Sequence, residues 1–133
     1  MFLQDNLDIS KVTIQSSRGF LTVNIQMELD EVLLQQLKQD LLERIQKVNA
    51  KGVIIDLSGA PAFDQQDFVQ LQKIIKMASL MGAHVILTGC HPGIASYLAE
   101  SHTDWSGLRF CLHIDEAIQQ MNQHVKASTP KLV

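Results

Sequence analysis

The residues best suited to chemistry are five histidines, two cysteines and a few aspartates. The histidines lie at positions 84, 91, 102, 113 and 124, and no two have the three- or four-residue spacing that places metal ligands on one helix face. Cys90 and Cys111 form no CxxC pair. We interpret both cysteines as small buried apolar side chains, with a disulfide or a reactive thiol as the alternative. We therefore predict no metal site and no cofactor.

Catalytic motifs are missing from the chain. It contains no GxxxxGK[ST], GxGxxG, GxSxG or HExxH sequence. Asp56 ends an apolar run and resembles the phosphoacceptor of a two-component receiver, but that chemistry needs an acidic pair after the first strand. The first predicted strands bring no acid before Glu28. We expect Asp56 to bind the amides of the loop that follows it, and we predict that the protein is not an enzyme.

A short polar segment, Asp64-Gln65-Gln66-Asp67, precedes an apolar-periodic stretch. The first N–H groups of a helix are unpaired and carry the positive end of the helix dipole. Asp64 is therefore predicted to cap a helix, and Asp67 to complement its dipole. These structural roles could account for the segment by themselves; a surface read by a partner protein is the alternative.

Apolar periodicity predicts the elements that position these residues. From a cap at Asp30 to about Asn49, leucines, an isoleucine and a valine recur every three or four residues, as in an amphipathic helix. The continuous apolar runs Val53–Leu57 and Val85–Thr88 predict neighbouring parallel strands buried on both faces. The remaining predicted elements are strands over 12–14, 20–25 and 109–112 and helices over 65–80, 93–100 and 115–125. This β-β-α-β-α-β-α-β-α order predicts one α/β domain with a mixed, mostly parallel sheet of five or six strands covered by about four helices.

Length and composition bound the class of protein. The 133 residues suffice for one domain, and 46% hydrophobic with 19% charged residues is ordinary for a globular chain. We expect a domain over 11–126 between a flexible arm (1–10) and a flexible tail (127–133). A net charge of −3 leaves no basic footprint for nucleic acid. Without a membrane-length apolar run or a signal peptide, we expect a cytoplasmic protein.

Three segments carry a resemblance to a known family. They are IQMELD at 25–30, GVIIDL at 52–57 and MASLMGAHVILTG at 77–89, which leads to Pro92. Together with the element order, over roughly residues 12–122, the chain resembles the STAS domain of anti-sigma-factor antagonists. Its likeness is greatest to the small single-domain scaffold subunit of the stressosome. The resemblance implies the STAS fold and a role in protein–protein signalling.

The resemblance also implies a regulatory position. In that family a serine follows an aspartate at the start of the second helix, and a partner kinase phosphorylates it. The corresponding residue here is Gln65, which is neutral and so resembles the unphosphorylated form more than phosphoserine. The expected partner-binding residues are Asp64, Gln65, Gln66 and Asp67. Ser58 and Thr88 are the alternative phosphosites.

Two functions from different classes follow from the resemblance. The first is a non-catalytic scaffold or anti-sigma-factor antagonist in a partner-switching stress response, bound to STAS-domain sensor paralogues and a switch serine/threonine kinase, with self-association as a further option. The second is a STAS domain that binds a nucleotide or lipid at the loops near Ser58, Thr88 and Cys90. Large assemblies or sensor complexes would favour the first, and a ligand retained through purification would favour the second.

Overall fold

A computed structural model describes residues 12–60, 65–100 and 108–128, without the side chains of residues 97 and 98. Within these ranges the elements follow the predicted order. They are β1 (Val12–Ser17), β2 (Phe20–Ile25), α1 (Glu31–Val48), β3 (Gly52–Asp56), α2 (Gln65–Leu80), β4 (His84–Thr88), α3 (Pro92–Glu100), β5 (Arg109–Cys111) and α4 (Ile114–Ser128).

The described strands form one five-stranded sheet in the order β1-β2-β3-β4-β5. Only β1 is antiparallel to its neighbour, and β2 to β5 are parallel. The predicted pairing of the two apolar runs is confirmed, since Val53 lies opposite Val85 and Ile55 opposite Leu87. Each parallel connection with a helix crosses over the sheet, which brings the carboxyl ends of β3 and β4 to the same edge.

The first hairpin is longer than the sequence predicted. Its strand β1 continues to Ser17, which pairs with Phe20. The turn consists of Arg18 and Gly19 alone, with φ values of 46° and 95°. Two successive residues at positive φ match the twist of paired strands, so hydrogen bonding continues up to the turn.

Helix α1 begins and ends as its sequence indicates. The carboxylate of Asp30 accepts a hydrogen bond of 2.8 Å from the Leu33 N–H, so the predicted cap is confirmed. Asn49 closes the helix in the left-handed conformation, with φ 51°. Leu37 and Leu41 are 2% and 0% exposed, as the apolar stripe predicts.

The sheet separates two apolar cores. Helices α1 and α2 cover one face, where the larger core includes the odd-numbered β3 residues Val53 and Ile55. Helix α4 covers the other face, where Met121 and Ala117 pack against Ile54 and Ile86. Because both faces of the sheet are covered, all side chains of a central strand face a core, and its sequence is a continuous apolar run.

Some helix ends differ from their predicted positions, and other predicted segments lie outside the described residues. Helix α4 extends to Ser128, beyond its predicted end near 125 and the predicted domain end at 126, and α3 begins one residue earlier than predicted, at Pro92. The predicted arm and residues 129–133 of the predicted tail are not among the described residues. None of the described helices is both long and apolar enough to cross a membrane.

Candidate functional site

The loop that leads toward α2 is held at the carboxyl edge of the sheet. The Asp56 carboxylate accepts a hydrogen bond of 3.0 Å from the Ser58 N–H, and the Leu57 N–H donates to the Thr88 carbonyl at 2.9 Å. The first bond confirms that Asp56 binds a loop amide. The second ties this loop to the end of β4.

Gly89 fixes the separation of the two loops. Its φ is +78°, and a Cβ added there would lie 2.5 Å from the Ser58 nitrogen and 2.8 Å from Asp56 Oδ1. The backbone at Gly89 therefore packs directly on the Asp56–Ser58 turn, with no room for a methyl group between them. The alternative of a ligand pocket at this place gains no support from such close packing.

Helix α2 presents its first residues at the surface. Gln65 and Gln66 are exposed and Asp67 is half-buried, whereas Asp64 and its predicted capping role lie outside the described residues. Phe68 and Leu71 anchor the first turns of the helix in the core, at 1% and 0% exposure. Because these apolar residues fix the inner face of α2, the exposed Gln65 lies on a rigid element and is accessible to a partner.

The two alternative phosphosites differ in access. Ser58 is exposed, whereas Thr88 is 0% exposed and its hydroxyl has no hydrogen-bond partner among the residues that the structure describes. Thr88 lies on β4, between β3 and β5. A kinase cannot reach the Thr88 hydroxyl in this conformation, so among these two only Ser58 is available for phosphorylation.

A groove between α1 and α2 adjoins the start of α2 and was not anticipated from the sequence. It has a volume of about 370 Å³, and its lining includes Gln66 and Asp67. Buried Leu34 and Ile74 form its apolar floor. Its rim carries charge from both helices, namely from Glu31, Lys38, Asp67 and Lys73. On each helix the lining residues are three, four or seven positions apart, so the sequence places them on one helix face. Only the packing of α1 beside α2 brings the two faces together as a groove.

The cysteines and histidines of the described residues differ in burial and in their neighbours. Cys90 and Cys111 are free thiols, and burial raises the pKa of Cys90 to about 11, so its thiol is protonated at neutral pH. The His84 and His124 rings lie 4.5 Å apart. Burial, together with the nearby His124 and Arg109, lowers the pKa of His84. Within the described ranges no three His, Cys, Asp or Glu side chains are grouped to hold a metal ion.

Solved structures share this architecture. RsbS from Moorella thermoacetica, in a form with a serine replaced by glutamate, is 28% identical with a TM-score of 0.74, covering 87% of this chain and 98% of that chain. A chain from the structure of the stressosome, a signal integration and transduction hub, is 28% identical with a TM-score of 0.69, covering 87% and 99%. The anti-sigma factor antagonist SpoIIAA in its unphosphorylated form shares the fold at 12% identity, with a TM-score of 0.66 and coverage of 84% and 97%.

Sequence comparison identifies the same family. RsbT co-antagonist protein RsbRD of Bacillus subtilis (strain 168) is 26% identical over 82 residues, which are 62% of this chain and 30% of that protein. The chain thus matches about a third of the length of this curated relative. The STAS domain profile matches residues 11–120, which include all five described strands and the first half of α4. By this match and by its sheet topology, the chain belongs to the STAS domain family.

Proposed function

We propose that this chain is a non-catalytic interaction module, a scaffold or anti-sigma-factor antagonist of a partner-switching stress response. The observation that carries the proposal is the exposed Gln65 at the first residue of α2. It occupies the position at which the family resemblance expects a phosphoacceptor serine. The names of the relatives, a co-antagonist and a stressosome structure, support a role in the same kind of assembly.

The chemistry of Gln65 defines the state of this proposed switch. Its carboxamide has no oxygen nucleophile that a kinase could phosphorylate, and it carries no charge. A phosphate at the same position would add a charge of about −1.5 to −2 next to a helix N-terminus. Gln65 therefore holds the surface in the form that unphosphorylated relatives present, while the exposed Ser58 remains as an alternative acceptor.

The proposed partners are STAS-domain sensor paralogues and a switch serine/threonine kinase, acting in the cytoplasm. The partner surface comprises Gln65, Gln66 and Asp67, together with Asp64 before them. Its two adjacent residues Gln65 and Gln66 are neutral, and with Asp67 they lie on an anchored helix. Such a rigid surface suits protein recognition, because little conformational freedom is lost on binding.

The experiment compares the wild-type chain with Gln65→Ser and Gln65→Glu. Each is incubated with ATP and a purified switch kinase from the same organism, and phosphate is located by mass spectrometry; affinity for a sensor paralogue is measured in parallel. We expect no phosphate at position 65 in the wild type, phosphorylation of the serine variant, and about tenfold weaker sensor binding by the glutamate variant. Gln46→Glu, an exposed substitution in the last turn of α1, is the matched control.

Two results would contradict the proposal. The first is sensor affinity that stays unchanged in both Gln65 variants. The second is an equal loss of affinity in the Gln46→Glu control, which would show that any added negative charge has the same effect. Strong phosphate incorporation at Ser58 of the wild type would instead place the switch in the loop before α2.

A further inference from the structure

The groove between α1 and α2 has two ends of opposite charge. Both helices connect parallel strands, so they run in the same direction across the sheet. Glu31 and Asp67 line the groove in the first turns of the two helices, whereas Lys38 and Lys73 line it seven and six residues later. At 1.5 Å per residue, the acidic and basic ends lie about 10 Å apart.

The helix dipoles reduce the charge difference between the two ends of the groove without removing it. Each helix N-terminus contributes about half a positive charge. The acidic end also includes the exposed carboxylate of Asp30, the α1 cap. The carboxylates of Asp30 and Glu31 alone exceed the two half-charges of the helix ends, so this end is net negative. Lys76, exposed on α2, adds to the positive charge at the other end.

We propose that this face binds a second copy of the chain, in an antiparallel arrangement related by a two-fold axis. Two face-to-face arrangements with two-fold symmetry keep the helices of the two copies aligned. With the axis along the helices, the acidic ends of the two copies would oppose each other, which repulsion disfavours. With the axis across the helices, α1 lies antiparallel to α1 and α2 to α2. Glu31 then faces Lys38 of the second copy, and Asp67 faces Lys73.

The residues near the proposed axis suit close contact. Midway between the acidic and basic ends lie Gln35 and Gln70, whose amides donate and accept hydrogen bonds and so can pair with their own copies. Val69, next to Gln70 on α2, is 37% exposed. Met77 lines the groove about 10 Å from the axis and is 36% exposed. Burying these apolar groups favours association, while the charges fix its direction.

This inference rests on the proposed function for its biological role, because it specifies the self-association open to a scaffold. The same dimer would cover Gln66 and Asp67, which line the groove, beside the proposed switch residue Gln65. Dimer formation and partner binding at the start of α2 would then compete. Addition of a sensor paralogue is accordingly expected to shift the chain from homodimer to mixed complex.

Charge reversal with rescue tests the antiparallel pairing. Sedimentation velocity of the purified chain over a range of concentrations measures the dimer dissociation constant for the wild type, Glu31→Lys, Lys38→Glu and the double variant. Each single variant places two like-charge contacts in the dimer, so we expect at least about tenfold weaker association. The double variant exchanges the two charges and is expected to return toward the wild-type value. Lys47→Glu, outside the groove on the same helix, should leave the dimer dissociation constant unchanged. Circular dichroism checks that each variant is folded.

Several outcomes would overturn the inference. They are a wild type that stays monomeric up to its highest soluble concentration, single variants that associate as the wild type does, and a double variant as weak as the single ones. The assay contains no kinase or sensor, so its failure leaves the proposed function intact. Conversely, a homodimer with the expected rescue but no sensor or kinase binding would refute the proposed function alone.

Discussion

Replacing Gly89 with alanine probes the contact that positions the loop before α2. Gly89 and Gly82 both have positive φ, at +78° and +93°, so alanine costs about 1–2 kcal/mol at either position from backbone strain alone. At Gly82 an added Cβ meets nothing within 4 Å. At Gly89 it would lie 2.5 Å from the Ser58 nitrogen, a backbone atom. Relieving this overlap requires the loop to move, at about 1–3 kcal/mol more.

Comparing the two variants therefore separates the cost of backbone strain from the cost of the steric overlap with Ser58. Urea unfolding should show Gly82→Ala destabilised by about 1–2 kcal/mol and Gly89→Ala by about 2–5 kcal/mol. With a urea m-value of about 2 kcal/mol/M, the additional loss lowers the Gly89→Ala midpoint by about 1 M below that of Gly82→Ala. In amide NMR spectra the Ser58 N–H, which donates to Asp56, should shift in the Gly89 variant and stay in place in the Gly82 variant. Equal midpoints with an unshifted Ser58 resonance would refute the close contact.

Three further predictions concern the core, a helix cap and a histidine pair. Leu41→Ala should cost about 2–5 kcal/mol in chemical denaturation, because Leu41 is 0% exposed; a loss below about 1 kcal/mol would contradict its place in the core. Asp30→Ala should cost about 0.5–2 kcal/mol through loss of the bond to the Leu33 N–H, whereas Asp30→Asn should retain most of the stability. His84 has a lowered pKa in the folded state, so its neutral form is favoured on folding, and the stability present above about pH 6.5 should fall as the pH decreases through the folded pKa. His84→Gln should flatten this part of the urea-midpoint profile, and an unchanged profile would show that another group is responsible.

Local sequence determined the elements and several of their ends. The leucine spacing of α1 and the aspartate before it specify a capped amphipathic helix, since both depend on contacts within three or four residues. The apolar runs of β3 and β4 likewise indicate strands covered on both faces. Asp56 was correctly assigned to its loop, because its hydrogen-bond partner lies only two residues away.

Tertiary structure decided what depends on residues distant in the chain. The sequence left Thr88 open as a phosphosite at the end of a predicted strand, but its position on β4 between two parallel strands buries it. The groove with its charged ends exists only because α1 packs beside α2, and the rings of His84 and His124 meet only across the packing of α4 on the sheet. Local periodicity reports which face of an element is buried, whereas the neighbour on that face depends on the order of strands in the sheet.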